Sequence, residues 1–464
     1  MAANEEVKIK CGAFEKQITL TAAQKSIVSK QDPFLILNGA TGTGKTAVLI
    51  AKGLEWLKAG NDVLVLALHG GSIPSSRFIY HTLTEARTAS QGPLFPKDRT
   101  WGFVKFDFVN VTTAQSVEQA LSTLPTHGQR DLHVIMDGAV VEGEHLTILH
   151  GDLIIQLKGR IPGLHLWAAD WYMPTLNGFG ACALDQPLRF PTPLLFEVSV
   201  AIQVMKELNI LPLNLGFSQF DVTSLHEPGP DVIHLRHKLK GKQLTDKWPV
   251  HSEECGRKVA KILREIGVGS TGPGKRGKRS YQYRDVLVLC RNNLDHSQPP
   301  PFARGLEASG IPTKVFGKGN YNSVFEVYDD LLLATEDKVF VASQAAAIGL
   351  DRRVVVCLTG AMEPEEHWQL TEEEEREVRE GGNTTLTLQS QDATFTFTNQ
   401  PTARERQEER EMRVGRLRST MELKHRLAIY SRCTEQLVVV HLPKGIEPGP
   451  SGSASYDKAK CTIL

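Results

Sequence analysis

The sequence predicts an α/β protein made of two consecutive domains, each a mostly parallel sheet with helices on both faces. Three observations predict it. Short, wholly apolar runs alternate with segments of helical period, the alternation restarts after about residue 210, and a glycine-rich loop joins the first buried run to the first amphipathic helix. Wholly apolar runs suit strands covered on both faces, and parallel strands need crossover connections, which helices supply.

In chain order, Pro33 to Leu37, Asp62 to Leu68, Leu132 to Met136 and Leu164 to Ala168 read as buried strands. Lys45 to Lys58 and Ser75 to Thr88 read as helices between them. In the first helix, Ala47, Ile50, Leu54 and Leu57 recur at spacings of three and four, so they line one face. Pro187, Pro191 and Pro193, followed by an amphipathic stretch over Leu194 to Leu208, mark the junction. Beyond it, strands are expected at Asp231 to Leu235, Asp285 to Cys290, Thr313 to Phe316, Lys338 to Ala342, Arg353 to Leu358 and Gln436 to His441. Helices are expected over Ser252 to Ile266, Phe302 to Ser309 and Val414 to Ala428. Leu386 to Phe397 alternates apolar residues with threonine around Ser390-Gln391-Asp392 and reads as an inserted hairpin. The expected organisation is therefore 1–208, 209–444 with a Gly/Lys/Arg-rich loop at 267–280 and an insertion at 363–412, and a flexible tail at 445–464.

Composition excludes some functions. The 464 residues carry 53 Lys plus Arg and 53 Asp plus Glu, so the net charge is zero. Binding to nucleic acid through global positive charge is thereby excluded, which leaves a local groove. The seven cysteines are scattered and form no CxxC pair, which points to a reducing compartment rather than a disulfide or zinc framework. Met1 to Gln17 is polar and no apolar run approaches a membrane span, so an intracellular, cytoplasmic protein is expected.

Gly39-Ala40-Thr41-Gly42-Thr43-Gly44-Lys45-Thr46 matches G-x-x-x-x-G-K-[ST] between a buried strand and a helix. Glycines let the backbone N–H groups of such a loop turn toward phosphate oxygens, and the helix N-terminus adds its positive dipole end. Lys45 would reach the β- and γ-phosphates of ATP, and the Thr46 hydroxyl would hold Mg²⁺. A second carboxylate at the end of another strand normally holds the metal through water. Asp137, which closes the run Leu132 to Met136, is the candidate; the alternative is an Asp that merely opens a turn with Gly138.

With these residues placed, the chain resembles the superfamily 1 helicase core of the UvrD/Rep type, and its layout is similar to the helicase-like region of Schlafen proteins. The resemblance spans roughly residues 17 to 442 and implies two RecA-like P-loop domains with ATP in the cleft between them. Ile18 to Gln24 resembles the glutamine motif, which implies that Gln24 contacts adenine. His165 to Tyr172 resembles the third motif, which senses nucleotide and touches single-stranded nucleic acid. Pro187-Leu188-Arg189 resembles the next, placing Arg189 near the γ-phosphate. Ser343 to Asp351 resembles the fifth, with Gly349-Leu350-Asp351 where the family has Gly-Leu-Glu, and this puts Asp351 at the nucleotide. Arg426 to Val440 resembles the sixth, in which Arg432 is the arginine finger from the second domain. For Arg189 and Arg432 the alternative is a surface arginine in a salt bridge.

The departures matter. The family's second motif reads Asp-Glu where this chain has Asp137-Gly138, and the missing Glu is the residue that activates the attacking water. Losing a general base typically costs 10²–10⁴ in rate. Glu142 and Glu144 follow but lie off the strand end. The expectation is a helicase-like protein that binds ATP with Mg²⁺ and hydrolyses it weakly. The alternatives are an active nucleic-acid translocase and a membrane-tethered ATP-sensing scaffold. Trp167, Trp171, Tyr172 and Phe179 surround the third motif, where they either stack single-stranded bases or pack the core; for Trp167, inside a strand, the core is expected.

The chain ends Cys461-Thr462-Ile463-Leu464, which fits C-a-a-X with a geranylgeranyl-type final Leu. The Pro/Gly/Ser-rich stretch Gly445 to Ser455 would present Cys461 to a transferase. One prenyl chain anchors weakly, with only Lys458 and Lys460 nearby to help on an anionic membrane. The alternative is an unmodified thiol.

Overall fold

The computed structural model describes residues 6–11, 14–39, 42–90, 101–111, 113–123, 131–138, 144–170, 176–184, 230–236, 252–269, 280–290, 299–316, 324–343, 352–358, 386–390, 393–397 and 433–441. An antiparallel hairpin, β1 (Glu6–Cys11) and β2 (Phe14–Thr19), opens the chain. The short helix α1 (Ala22–Val28) follows, then β3 (Phe34–Gly39), α2 (Lys45–Lys58) and β4 (Val63–Ala67). Next come α3 (Ile73–Ser90), β5 (Val104–Phe108), α4 (Ala114–Thr123), β6 (His133–Asp137), α5 (Glu144–Arg160), β7 (His165–Asp170) and β8 (Gly180–Leu184). The strands from β3 to β8 form one parallel sheet in the order β5-β4-β6-β7-β3-β8.

Alternation along these strands explains why helices lie on both faces. Ile36, Leu64, Leu66, Val134, Met136, Leu166 and Ala168 point to one side, where they pack against Val117 and Leu121 of α4 and Leu153 and Leu157 of α5. Their neighbours Leu35, Leu37, Val63, Val65, Ile135, Trp167 and Ala169 point to the other, against α2 and against Ile79 and Leu83 of α3. Successive strand side chains alternate between faces, so only an unbroken apolar run can fill two cores. Trp167 is fully buried in the second of these cores and its indole N–H donates to the Asp32 carbonyl at 2.9 Å, the core role expected of it. Phe179 is also buried, 5.1 Å ring to ring from Phe34, and is no platform for bases.

The second sheet is built the same way from β9 (Ile233–Arg236), β10 (Val286–Cys290), β11 (Thr313–Val315), β12 (Val339–Ser343), β13 (Arg352–Leu358) and β16 (Cys433–His441). It is parallel and ordered β11-β12-β10-β13-β16-β9. One face packs on α6 (Glu253–Glu265) and α7 (Pro301–Glu307) through Cys255, Val259, Leu263, Phe302 and Leu306. The helix α8 (Val324–Leu333) joins β11 to β12 and was not anticipated from the sequence pattern. The expected insertion hairpin is present as the antiparallel pair β14 (Leu386–Ser390) and β15 (Ala393–Phe397). The amphipathic stretch 194–208, the helix expected over 414–428 and residues 363–380 of the insertion lie outside the described residues. Among the described residues no helix is long and apolar enough to cross a membrane.

Candidate functional site

The glycine-rich loop leaves the C-terminal end of β3 and enters α2, with Gly44 as the residue before the helix. Gly42 and Gly44 hold φ of 84° and 87°, the left-handed region that only glycine enters without strain. Gly39 is needed for a different reason. A Cβ there would stand 2.4 Å from the Leu184 carbonyl oxygen on β8. The loop's shape therefore follows from its glycines.

Three side chains fix the loop. The Lys45 ammonium folds back and donates to the Gly39 carbonyl at 2.7 Å. The Thr46 hydroxyl, in the first turn of α2, donates to Asp137 Oδ2 at 2.7 Å. Gln24, buried in α1, donates from Nε2 to the Thr43 carbonyl at 3.1 Å. Its Oε1 accepts the Thr21 N–H at 3.0 Å, and the Thr21 hydroxyl accepts the Gln24 N–H at 3.2 Å. This is a capping box on α1, so the spacing of Thr21 and Gln24 has a local cause as well as a link to the loop.

Asp137 closes β6, whose neighbour β7 separates it from β3. The two residues on either side of that gap still meet, because parallel strands end together at one edge. Asp137 is buried. Gly138 follows with φ of 66°; its N–H donates to the Ala169 carbonyl at 2.9 Å and its carbonyl accepts from His69 Nε2 at 2.8 Å. His69 Nδ1 accepts the Gly71 N–H at 3.1 Å, so the proton sits on Nε2 and the ring is neutral. The Ser75 hydroxyl, in the first turn of α3, lies 3.3 Å from the Asp137 carbonyl, which accepts from it. His69, Ser75 and the capping role of Thr21 were not singled out by sequence reasoning. The only signal for them was position: His69 follows a buried strand in the same way that Asp137 does.

Burial holds His69 down at about 4, against the opposing hydrogen bond to Gly138, with His150 stacked 5.8 Å away adding to the lowering. Burial likewise holds His133 on β6 at about 4, helped by His165 stacked at 4.5 Å and opposed by the Asp131 carbonyl and carboxylate. Both rings bind a proton more readily when the chain unfolds. Their contribution to stability is therefore complete above about pH 6.5, is lost as the pH falls toward 4, and is flat below. Each ring should contribute about 2–3 kcal/mol over that window. Urea midpoints measured from pH 7.5 to pH 4 should fall accordingly, and His69→Gln and His133→Gln should each flatten part of the slope; a profile unchanged by both would contradict the assignment.

The loop residues fit a triphosphate with Mg²⁺. Thr46 and Asp137 form an oxygen pair suited to a hard divalent cation, at a helix N-terminus that carries a lysine. Of the residues predicted for the site, Gln24, Gly39, Gly42, Thr43, Gly44, Lys45, Thr46 and Asp137 come together here. Arg189, Asp351, Arg432 and Cys461, with Trp171 and Tyr172, lie outside the described residues.

The parallel order and the loop define a class, an α/β protein of two parallel six-stranded sheets, the first carrying a P-loop-type strand–loop–helix. No protein-family model and no curated protein matches the chain. Solved structures do. One is a variant of S. cerevisiae Dbp5 bound to a Gle1 variant and IP6, at 11% identity and a TM-score of 0.39, covering 91% of this chain and 81% of that one. A second Dbp5 complex, with Nup159, Gle1, IP6 and ADP, gives 11% identity and a TM-score of 0.36 over 91% and 83%. The Escherichia coli DEAH/RHA helicase HrpB gives 12% identity and a TM-score of 0.39, and this chain covers 42% of its length. These likenesses are of fold alone, and the superfamily 1 resemblance gains no support from them.

Proposed function

We propose that this protein binds ATP with Mg²⁺ in a helicase-like nucleotide site and hydrolyses it weakly. The observation that carries the reading is the 2.7 Å hydrogen bond from Thr46 to Asp137, which joins the loop to a second strand end at the point where such a site holds its metal. Bound Mg²⁺–ATP would supply a neutralised triphosphate. Lys45 would then turn from the Gly39 carbonyl to the phosphates, the N–H groups of Gly42 to Thr46 would face them, and Gln24 would keep the loop in place through Thr43. Among the described residues around Asp137, none stands where a base for water is expected. Gly138 occupies the place of the family's Glu, so no side chain there takes the proton of an attacking water.

The finer assignment to superfamily 1, with Arg189, Asp351 and the finger Arg432 at the nucleotide and single-stranded nucleic acid along the third motif, rests on motif order. The order of those motifs also supports the second reading, an active translocase.

Asp137→Asn tests the metal role. The amide keeps an acceptor for Thr46 but loses the charge. Mg²⁺-dependent ATP binding should weaken by about 10- to 100-fold, as for other outer ligands of a metal, while binding in EDTA stays unchanged. Titration calorimetry with and without Mg²⁺ reads both, and equal loss in the two conditions would count against a metal at Asp137.

A further inference from the structure

The helix α3 touches both halves of the molecule. Its first turn meets the nucleotide site, where Ser75 donates to the Asp137 carbonyl and the preceding His69 holds the Gly138 carbonyl. Farther along, Arg77 and His81 reach Asp329 on α8, a helix of the second sheet. Arg77 grips the carboxylate with a fork, Nε to Oδ1 at 2.8 Å and Nη2 to Oδ2, and His81 Nε2 donates to Oδ1 at 2.8 Å. The guanidinium lies 4.8 Å from the Phe106 ring and 5.1 Å from the Tyr80 ring, which orient it. Beside the fork, Tyr328 is buried with Ala67 and Ile73. Burial pushes the Asp329 carboxyl up, and the His81 and Arg77 hydrogen bonds more than offset this and hold it below the usual carboxylate range.

The other side of α8 is tied to its own sheet. Asp330 pairs with Lys314 of β11 at 2.6 Å, and the Leu331 carbonyl accepts from Arg352, the buried first residue of β13. Arg352 directly follows Asp351. Thus α8 sits between a helix that contacts the Asp137–Gly138 strand end and a strand that begins next to the fifth motif.

We propose that Asp329 is a positioning residue: held by Arg77 and His81, it latches the second domain to α3 and so passes changes at the nucleotide site from one domain to the other. The second half of that statement rests on the ATP-binding reading, and the latch itself does not. A bidentate arginine pair beside a buried tyrosine is a specific, partly desolvated contact, and one helix serving both the site and the fork gives a contiguous path between them.

The test uses the full chain with spin labels at the exposed positions of Lys58 and Lys261, one on each domain. Without nucleotide, Asp329→Ala should broaden and lengthen the label-to-label distances, raising the separated population by about 2- to 30-fold. The exchange Arg77→Asp with Asp329→Arg should recover the original distribution in part, which a general loss of folding would not. With Mg²⁺–ATP, Asp329→Ala should lose the nucleotide-dependent change in distance, and its ATP affinity should move by no more than that same roughly 2- to 30-fold factor, because coupling is reciprocal. A distribution unchanged by Asp329→Ala overturns the latch. A retained nucleotide response in a variant with a changed resting distance overturns the coupling. If the wild type binds no ATP, the ATP-binding reading fails and the coupling with it, and the nucleotide-free comparison still decides the latch.

Discussion

Lys45→Ala should reduce ATP affinity by about 30-fold or more, the scale of removing one member of a buried, hydrogen-bonded charge pair. Lys45 carries the only side-chain charge within the eight-residue loop. In the structure its ammonium rests on the Gly39 carbonyl at 2.7 Å, a contact within the loop that a phosphate can replace. The fold does not depend on it. Lys45 is half-buried at the start of α2, and alanine is the best helix former, so the thermal midpoint should move little. Equilibrium titration with a fluorescent ATP analogue reads the affinity, and melting of the same sample reads the fold. Retained affinity within about threefold would mean that the loop does not bind the nucleotide through Lys45.

Gly138→Glu should raise ATP turnover by about 10²-fold, the lower end of what a general base contributes. There is room for a Cβ. A Cβ on Gly138 would lie 3.6 Å from the Ser72 Cβ, an ordinary contact. The obstacle is the backbone: φ is 66°, and a residue other than glycine there costs about 1–2 kcal/mol. The Gly138 N–H and carbonyl are bound to Ala169 and His69, so the main chain is held in that conformation. The variant should thus be slightly less stable and markedly faster. Gly138→Ala, which has the strain without the carboxylate, should be equally destabilised and no faster. If Glu and Ala variants turn over alike, the missing carboxylate is not what limits the site.

Much of this was legible in the sequence because it depends on local rules. The helix at Lys45–Lys58 falls where the spacing of Ala47, Ile50, Leu54 and Leu57 put it, and each expected strand of the second sheet is found within a few residues. Wholly apolar runs of valine and leucine have few other uses in a soluble core. The loop was legible for the same kind of reason, since its glycines have no cheaper substitute. The helix α8 was missed although Glu326, Asp329 and Asp330 recur at helical spacings of three and four, because a run of only ten mostly apolar residues is easily taken for a buried strand. The first-sheet strands Val104–Phe108 and Gly180–Leu184 were missed too. They lie at the edges of the sheet, where only part of each strand is buried and the apolar signal weakens. His69 and Gln24 show the other limit. A residue type can suggest a site, but the partner of its side chain depends on which strand ends meet, and β7 inserted between β3 and β6 is not written in any local pattern.

The nucleotide site proposed above should bind well and turn over poorly. The direct test measures both on one preparation of the full chain: equilibrium ATP binding with and without Mg²⁺, and steady-state hydrolysis with and without single-stranded DNA or RNA. The expected result is Mg²⁺-dependent binding with slow turnover that nucleic acid does not restore to the range of about 1–10³ s⁻¹ usual for enzymes. Fast, nucleic-acid-stimulated hydrolysis would contradict it, and would mean that a group other than residue 138 activates the water.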